Sequence, residues 1–250
     1  MSKSTETIIL FPPDSQNPPI DLDLDKFMGT WHVTHSTLPL WKSRKDVTIT
    51  YGLKTSLSDE VIKFDDIVEY RAKSDPPSST RSRVVGIDTL MSRSDSNAPT
   101  GVSESGSLTS GSDVPSTATP HTQGTTPPSS KQAQTRYKWR GKGWLMIASS
   151  RWQLLGCSED PSPGNAAAWA VTYFEKTLFT PAGLDIYSRT ARGLPSEAVQ
   201  EILGKVKELG GDVAKISEGF FELERSGVSS AGAMEGGDQG NLEVLDVNSA

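Results

Sequence analysis

Two short segments bracket the strand-like part of this chain: Gly29-Thr30-Trp31 near its start and Ser188-Arg189-Thr190 near its end. A glycine lets the backbone turn closely, and the indole two residues on is large enough to plug one end of a closed sheet. An arginine can stack on that indole and donate to several loop carbonyls at once. An eight-stranded sheet closed on itself has such an end to fill. These residue types suit such an end, and Gly-x-Trp alone fits a core tryptophan after a turn equally well.

Period-two alternation supplies the strands between them. In the first, Met28 to Ser36, Trp31, Val33 and His35 share one face and His32, Thr34 and Ser36 the other. Val47, Ile49 and Tyr51 alternate with Thr48 and Thr50 and stop at Gly52. Residues 61–71 and 81–90 are the next two strands, turning through Pro76-Pro77. Residues 137–140, 151–155, 168–174 and 184–189 complete eight, with 141–150 ambiguous. A helix is expected from about Pro195, a residue suited to a first helical position. Its apolar face is Val199, Ile202, Leu203, Val206 and Leu209, and Gly210-Gly211 ends it.

The order Gly-x-Trp, strands, Arg189, Pro195 and helix resembles the lipocalins of the calycin superfamily. The segments Tyr173–Thr177 and Phe179–Gly183 are similar to intracellular lipocalin-like proteins of filamentous fungi. The resemblance implies an all-β fold with one C-terminal α-helix, an eight-stranded antiparallel up-and-down barrel. Gly29, Trp31 and Arg189 would be its structural signature, with Arg189 packed over the Trp31 indole. Leu38-Pro39-Leu40-Trp41 resembles the family's first loop, which folds across the barrel mouth. The implied activity is binding of a small hydrophobic or amphipathic molecule in the cavity. The implied alternative is an isomerase or cyclase acting on a hydrophobic metabolite.

Of the 250 residues only 34% are hydrophobic, and they are unevenly placed. Residues 92–136 contain no Phe, Trp or Tyr and are rich in Ser, Thr, Pro and Gly, too polar to offset the entropy of ordering them. The expected organisation is a flexible arm over 1–21 and one barrel over 22–225. A disordered insert at 92–134 interrupts the barrel, and a disordered tail covers 226–250. Cys157 is the single cysteine, so no intrachain disulfide forms. No signal peptide, glycosylation sequon or membrane-spanning run is visible, and a cytoplasmic protein is expected. The net charge of −6 speaks against a general nucleic-acid partner. Protein partners are left open.

No catalytic signature stands out. Tyr137 and Trp139 alternate with Lys138 and Arg140, which reads as a barrel strand with aromatics inward and cations outward. His32 and His35 are three apart and fall on opposite faces of a regular strand, so they would not share a metal. Neither metal nor cofactor is expected. Continuing inward from Trp31, the alternation places Val33 and His35 in the lumen, with Tyr51, Trp169, Val171 and Tyr173 joining them as ligand contacts. His35 would meet the ligand's polar end. The inward face of the last strand, which carries Asp185, Tyr187 and Arg189, is left open. The adjacent carboxylates Asp65 and Asp66 point opposite ways on a strand.

Overall fold

The computed structural model describes residues 8–13, 20, 22–54, 61–91, 135–143, 147–158 and 168–226. The insert expected at 92–134, the tail from 227 on, His121 and residues 1–7 lie outside these. A short helix, α1 (Leu24–Phe27), precedes β1 (Gly29–Ser36), a 3-10 turn (Pro39–Trp41) and β2 (Arg44–Leu53). Then come β3 (Lys63–Ala72), β4 (Ser82–Leu90), β5 (Arg136–Gly141), β6 (Ser149–Ser158), β7 (Trp169–Phe174) and β8 (Gly183–Ser188). Two helices, α2 (Ser196–Glu208) and α3 (Gly211–Ser217), lead to a two-residue strand, β9 (Phe221–Glu222).

From β1 to β8 consecutive strands pair antiparallel, and β1 pairs with both β8 and β2. That last pairing closes an eight-stranded up-and-down barrel. Strands β1 and β2 pair only over the Gly29–His32 half of β1. Further along, β9 takes the vacated edge, facing His35 and Ser36. Among the described residues no helix is long and apolar enough to cross a membrane.

Alternation sorts the side chains into two hydrophobic layers. Trp31, Val33, Ile49, Tyr51, Phe64, Tyr137, Trp152, Leu154 and Tyr187 point inward and form one buried cluster. Leu155, Trp169, Val171, Leu184 and Ile186 point outward and form a second. The second is covered by Ile202 and Val206 of α2, Val213 of α3, and Ile8 and Leu10 from the N-terminal segment. The C-terminal part holds two helices where one was expected. The glycine pair does end α2, but Gly210 and Gly211 have φ of 73° and 57° and turn the chain directly into α3.

The floor is built on Trp31. Its Nε1 donates to the Phe27 carbonyl at 2.9 Å, tying β1 to α1. The Phe27 ring lies 5.3 Å from Trp31 and 5.4 Å from Tyr51. The Arg189 guanidinium stacks 3.7 Å from the indole centroid. It also donates to the carbonyls of Thr30 and Lys26, at 3.2 and 2.5 Å. Gly29 has φ of 94°, and its missing Cβ would lie 3.5 Å from Arg189 Nη1. Glycine thus supplies the left-handed turn, while a Cβ there would make only ordinary contact with the guanidinium.

Trp31→Ala should cost about 3–5 kcal/mol of folding stability, the range for truncating a large buried aromatic. Arg189→Lys keeps the charge but loses the planar stack and one of the two carbonyl bonds, so it should also destabilise, by about 1–2 kcal/mol. Urea titrations followed by circular dichroism would read both.

Candidate functional site

From floor to mouth, the inward side chains change in character. Trp31, Phe64 and Tyr187 have no accessible surface, and Tyr51 and Tyr137 are nearly as buried. Their rings contact one another: Tyr51 stacks on Trp152 at 5.8 Å, and Tyr137 lies 4.5 Å from Trp152. This half of the interior is filled by protein. Toward the other end, Val68, Tyr70, Trp139 and Phe174 pack on the same core but are only partly buried. Trp139 lies over Gly86, where any Cβ would collide with the indole, so glycine in β4 makes space for that ring. The 3-10 turn folds its Leu38 and Trp41 over this end, and Trp41 meets Tyr70 edge-on at 6.2 Å. The Arg44 guanidinium stands 5.0 Å above the Tyr70 ring at the rim.

Three carboxyl groups point into the lumen where these halves meet. Asp66 lies opposite Gly86, and Asp88 opposite Phe64, so the two are diagonal neighbours on the inward face of β3 and β4. Asp88 Oδ1 accepts from Trp152 Nε1 at 2.8 Å. Asp88 Oδ2 and Asp66 Oδ1 are buried and receive no N–H or hydroxyl donor. The two carboxyls can hydrogen-bond each other only if one carries a proton. Burial raises the pKa of both, and for Asp88 the nearby Asp66 charge adds to it. Asp66 retains 7% of its surface while Asp88 has none, so Asp66 is the member nearer open space.

The third is Asp185. Its Oδ1 accepts from Ser36 Oγ at 2.5 Å and its Oδ2 from Trp41 Nε1 at 3.3 Å. Ser36 Oγ in turn accepts from Leu38 N at 2.9 Å, so one carboxyl anchors the turn that covers the mouth. Burial raises the Asp185 pKa to about 7, against the pull of its two hydrogen bonds. The Tyr51 and Tyr187 phenols are also pushed well up by burial and stay neutral.

Of the residues expected to line the lumen, Val33 and Tyr51 do face it, along with Trp31. The expectation for the other four needs correction. A β-bulge between Val33 and His35 breaks the alternation of β1. His35 therefore pairs with Ile186, whose side chain belongs to the outer layer. It sits half-buried on the outer wall, with Nδ1 3.2 Å from Thr34 Oγ1. Burial lowers its pKa. His32 is on that same outer face, opposite Thr48, so the two histidines do not lie on opposite sides. Trp169, Val171 and Tyr173 also point outward, and their neighbours Ala170, Thr172 and Phe174 point in. The outer face of β7 is apolar because α2 and the N-terminal segment cover it. Among the described residues no group of three or more His, Cys, Asp or Glu is placed to hold a metal ion.

Sequence reasoning missed the Asp66–Asp88 pair and left Asp185 open. The usable signal was in the strands: an Asp at an inward position is unusual, since carboxylates are rarely buried unless partnered. The adjacent pair Asp65-Asp66 does divide as expected. Asp65 turns outward to Lys54 and Lys142, at 3.0 and 2.6 Å.

No family model matches the chain, and no curated protein does. Among solved structures it is similar to lobster apocrustacyanin A1, at 11% identity over 90% of this chain and 94% of that one, with a TM-score of 0.46. It is similar to insecticyanin from the tobacco hornworm Manduca sexta, at 14% identity over 88% and 90%, TM-score 0.47. It is also similar to the amine binding protein of Rhodnius prolixus in its tryptamine complex, at 11% identity over 81% of each chain, TM-score 0.40. At this distance the barrel assignment rests on the strand pairing of the chain itself.

The buried carboxyls set a pH dependence. Unfolded, they release their protons near pH 4; folded, they hold them to higher pH. The folded state binds more protons across that window, so stability falls as pH rises through it. His32 and His35, whose pKa values are lowered, act in the opposite sense below about pH 6.5. The Asp88→Asn variant isolates the pair, because its Oδ1 still accepts from Trp152 and its amide donates to Asp66 without a titrating proton. Its urea midpoint should fall less between pH 5 and pH 8 than that of the unsubstituted protein.

Proposed function

We propose that the mouth half of the barrel binds one small amphipathic molecule. The observation that carries this reading is the change along the barrel axis. A floor filled with aromatics gives way to half-buried Val68, Tyr70, Trp139 and Phe174 around an inward carboxyl, Asp66. Ligand sites are typically apolar recesses with a few fixed polar groups that set orientation. Here those groups are acidic, so the guest's polar end is one that donates a hydrogen bond or carries positive charge, such as a hydroxyl or an amine. Its apolar body lies among the aromatic rings.

A second reading draws on the same pair. One protonated carboxyl beside an ionised one is an acid next to a base, the minimum an isomerase or cyclase needs. His35 has no part in it from the outer wall.

The test uses the neutral dye N-phenyl-1-naphthylamine, displaced by decanol and by decylamine. The proposal expects saturable binding at one dye per chain and competition by both alkyl compounds. Asp66→Ala should weaken the alkyl compounds by about 1–3 kcal/mol, the cost of losing a buried polar partner, and leave the dye nearly unaffected. No saturable dye binding by the intact protein would overturn the reading. Ligand recovered unchanged supports binding, and a transformed one supports the enzymatic alternative.

A further inference from the structure

On the outer wall, away from the lumen, lies a second recess of about 400 Å³. It is walled by the outward faces of β1, β2 and β3, the β3–β4 turn and the segment after β8. His32, Thr48, Arg71, Arg81 and Arg225 supply its polar lining, and Pro77 and Ala191 its apolar edges. The organising residue is Asp46, which adopts a left-handed φ of 54° at a bulge of β2, a conformation Asp tolerates. Its Oδ1 accepts from Ser226 N at 2.6 Å, and its Oδ2 from Arg71 Nη1 at 3.0 Å and Ser226 Oγ at 2.9 Å. Burial works against its ionisation, but these hydrogen bonds hold its pKa below the usual value. Asp46 is thus an ionised group whose oxygens are both engaged.

The donors are not used up. Arg81 Nη2 donates to the carbonyls of Asp46 and Glu69 and to Thr48 Oγ1. Within the described residues its Nη1 has only Glu69, at 3.7 Å, and its Nε is buried without an acceptor. Arg71 Nε donates to the Ser79 carbonyl, and Nη2 makes no hydrogen bond within the described residues. Arg225 Nη1 and Nη2 are engaged with Thr34, Leu223 and Glu222, but its Nε is also buried without an acceptor. Neither ring nitrogen of His32 is hydrogen-bonded within the described residues. The His32 pKa is lowered by burial and then by the charges of Arg81 and Arg225, with Asp46 opposing. Three guanidiniums therefore face one carboxylate in the lining. Glu69 and Glu222 flank Arg81 and Arg225 from more exposed positions, where pairing is weak.

We propose that this recess binds a phosphomonoester dianion. Arg71 Nη2 and the His32 ring nitrogens, unspent within the described residues, belong to side chains that line this recess beside Arg81 and Arg225, both oxygens of its Asp46 are engaged, and guanidiniums match phosphate oxygens in geometry as well as charge. The volume far exceeds a bare phosphate, and Pro77 and Ala191 give an organic group a surface to lie on. This proposal is independent of the lumen and stands or falls apart from it.

The experiment follows the three histidines of the intact chain by NMR while phenyl phosphate is added, with sodium chloride at matched ionic strength as control. The expected result is an upward shift of the His32 pKa, saturable in phenyl phosphate, with His35 and His121 unmoved. Inorganic phosphate should bind more weakly. His32→Gln, which removes no structural hydrogen bond, and Arg71→Gln should each weaken phenyl phosphate by about tenfold. If Arg71→Gln does not fold, His32→Gln with the histidine shifts decides alone. A His32 response no larger than that to chloride, or equal shifts at all three histidines, would overturn the site. Equal affinity for phenyl phosphate and inorganic phosphate would overturn the monoester assignment.

Discussion

The contact between Arg189 and Trp31 is the one on which the barrel depends. It joins the exit of β8 to the entry of β1, the two chain ends that must meet for the sheet to close. It also reaches α1 through the Lys26 carbonyl, and Trp31 holds the same helix through the Phe27 carbonyl. A closed sheet has no unpaired edges to aggregate, but its end carbonyls would otherwise lack donors. A single guanidinium meets both needs, stacking over the plug and donating to carbonyls of α1 and β1 beside it. Lysine offers a point charge and no plane, so the arrangement calls for arginine.

Where the alternation is regular, the sequence is enough to place side chains. Val47, Ile49 and Tyr51 face in, as do Tyr137 and Trp139, with Lys138 turned out, and this follows from period two alone. Bulges break that logic. One extra residue between Val33 and His35 moves His35 to the outside, and nothing local in Val33-Thr34-His35 announces it. The bulge has a structural partner: Thr34 Oγ1 donates to the Ile186 carbonyl at 3.1 Å, and the Thr34 carbonyl accepts from Leu223 N at 2.8 Å. The distortion that turns His35 outward also receives the segment that follows α3, contacts that lie nearly 200 residues away in sequence.

Strand β7 defeats pattern reading for a different reason. Trp169, Val171 and Tyr173 are the bulkier set, and Ala170, Thr172 and Phe174 the smaller, so bulk suggests that the first set fills the lumen. The structure reverses this because both faces of the strand are buried. Outside, α2 and the N-terminal segment demand large apolar contacts. Inside, Trp152 and Leu154 already occupy the space, and small residues fit beside them. Alternation identifies two faces but does not say which is the lumen when a helix covers the other. The short elements α1 and β9 carry too few residues for any periodicity to register.

The division between floor and mouth has an energetic logic. A rigid aromatic floor can supply stability without a guest, because its rings already fill the available volume. The carboxyls lie just above it, where burying them costs stability that the floor offsets. At the boundary, Asp88 borrows the Trp152 indole, Asp66 and Asp88 require only one proton between them, and Asp185 draws on Ser36 and Trp41. Asp185 thereby couples the covering turn to the strand that leads into Arg189. The two ends of the barrel are joined through β8, with Leu184 and Ile186 fixing that strand against α2 from outside.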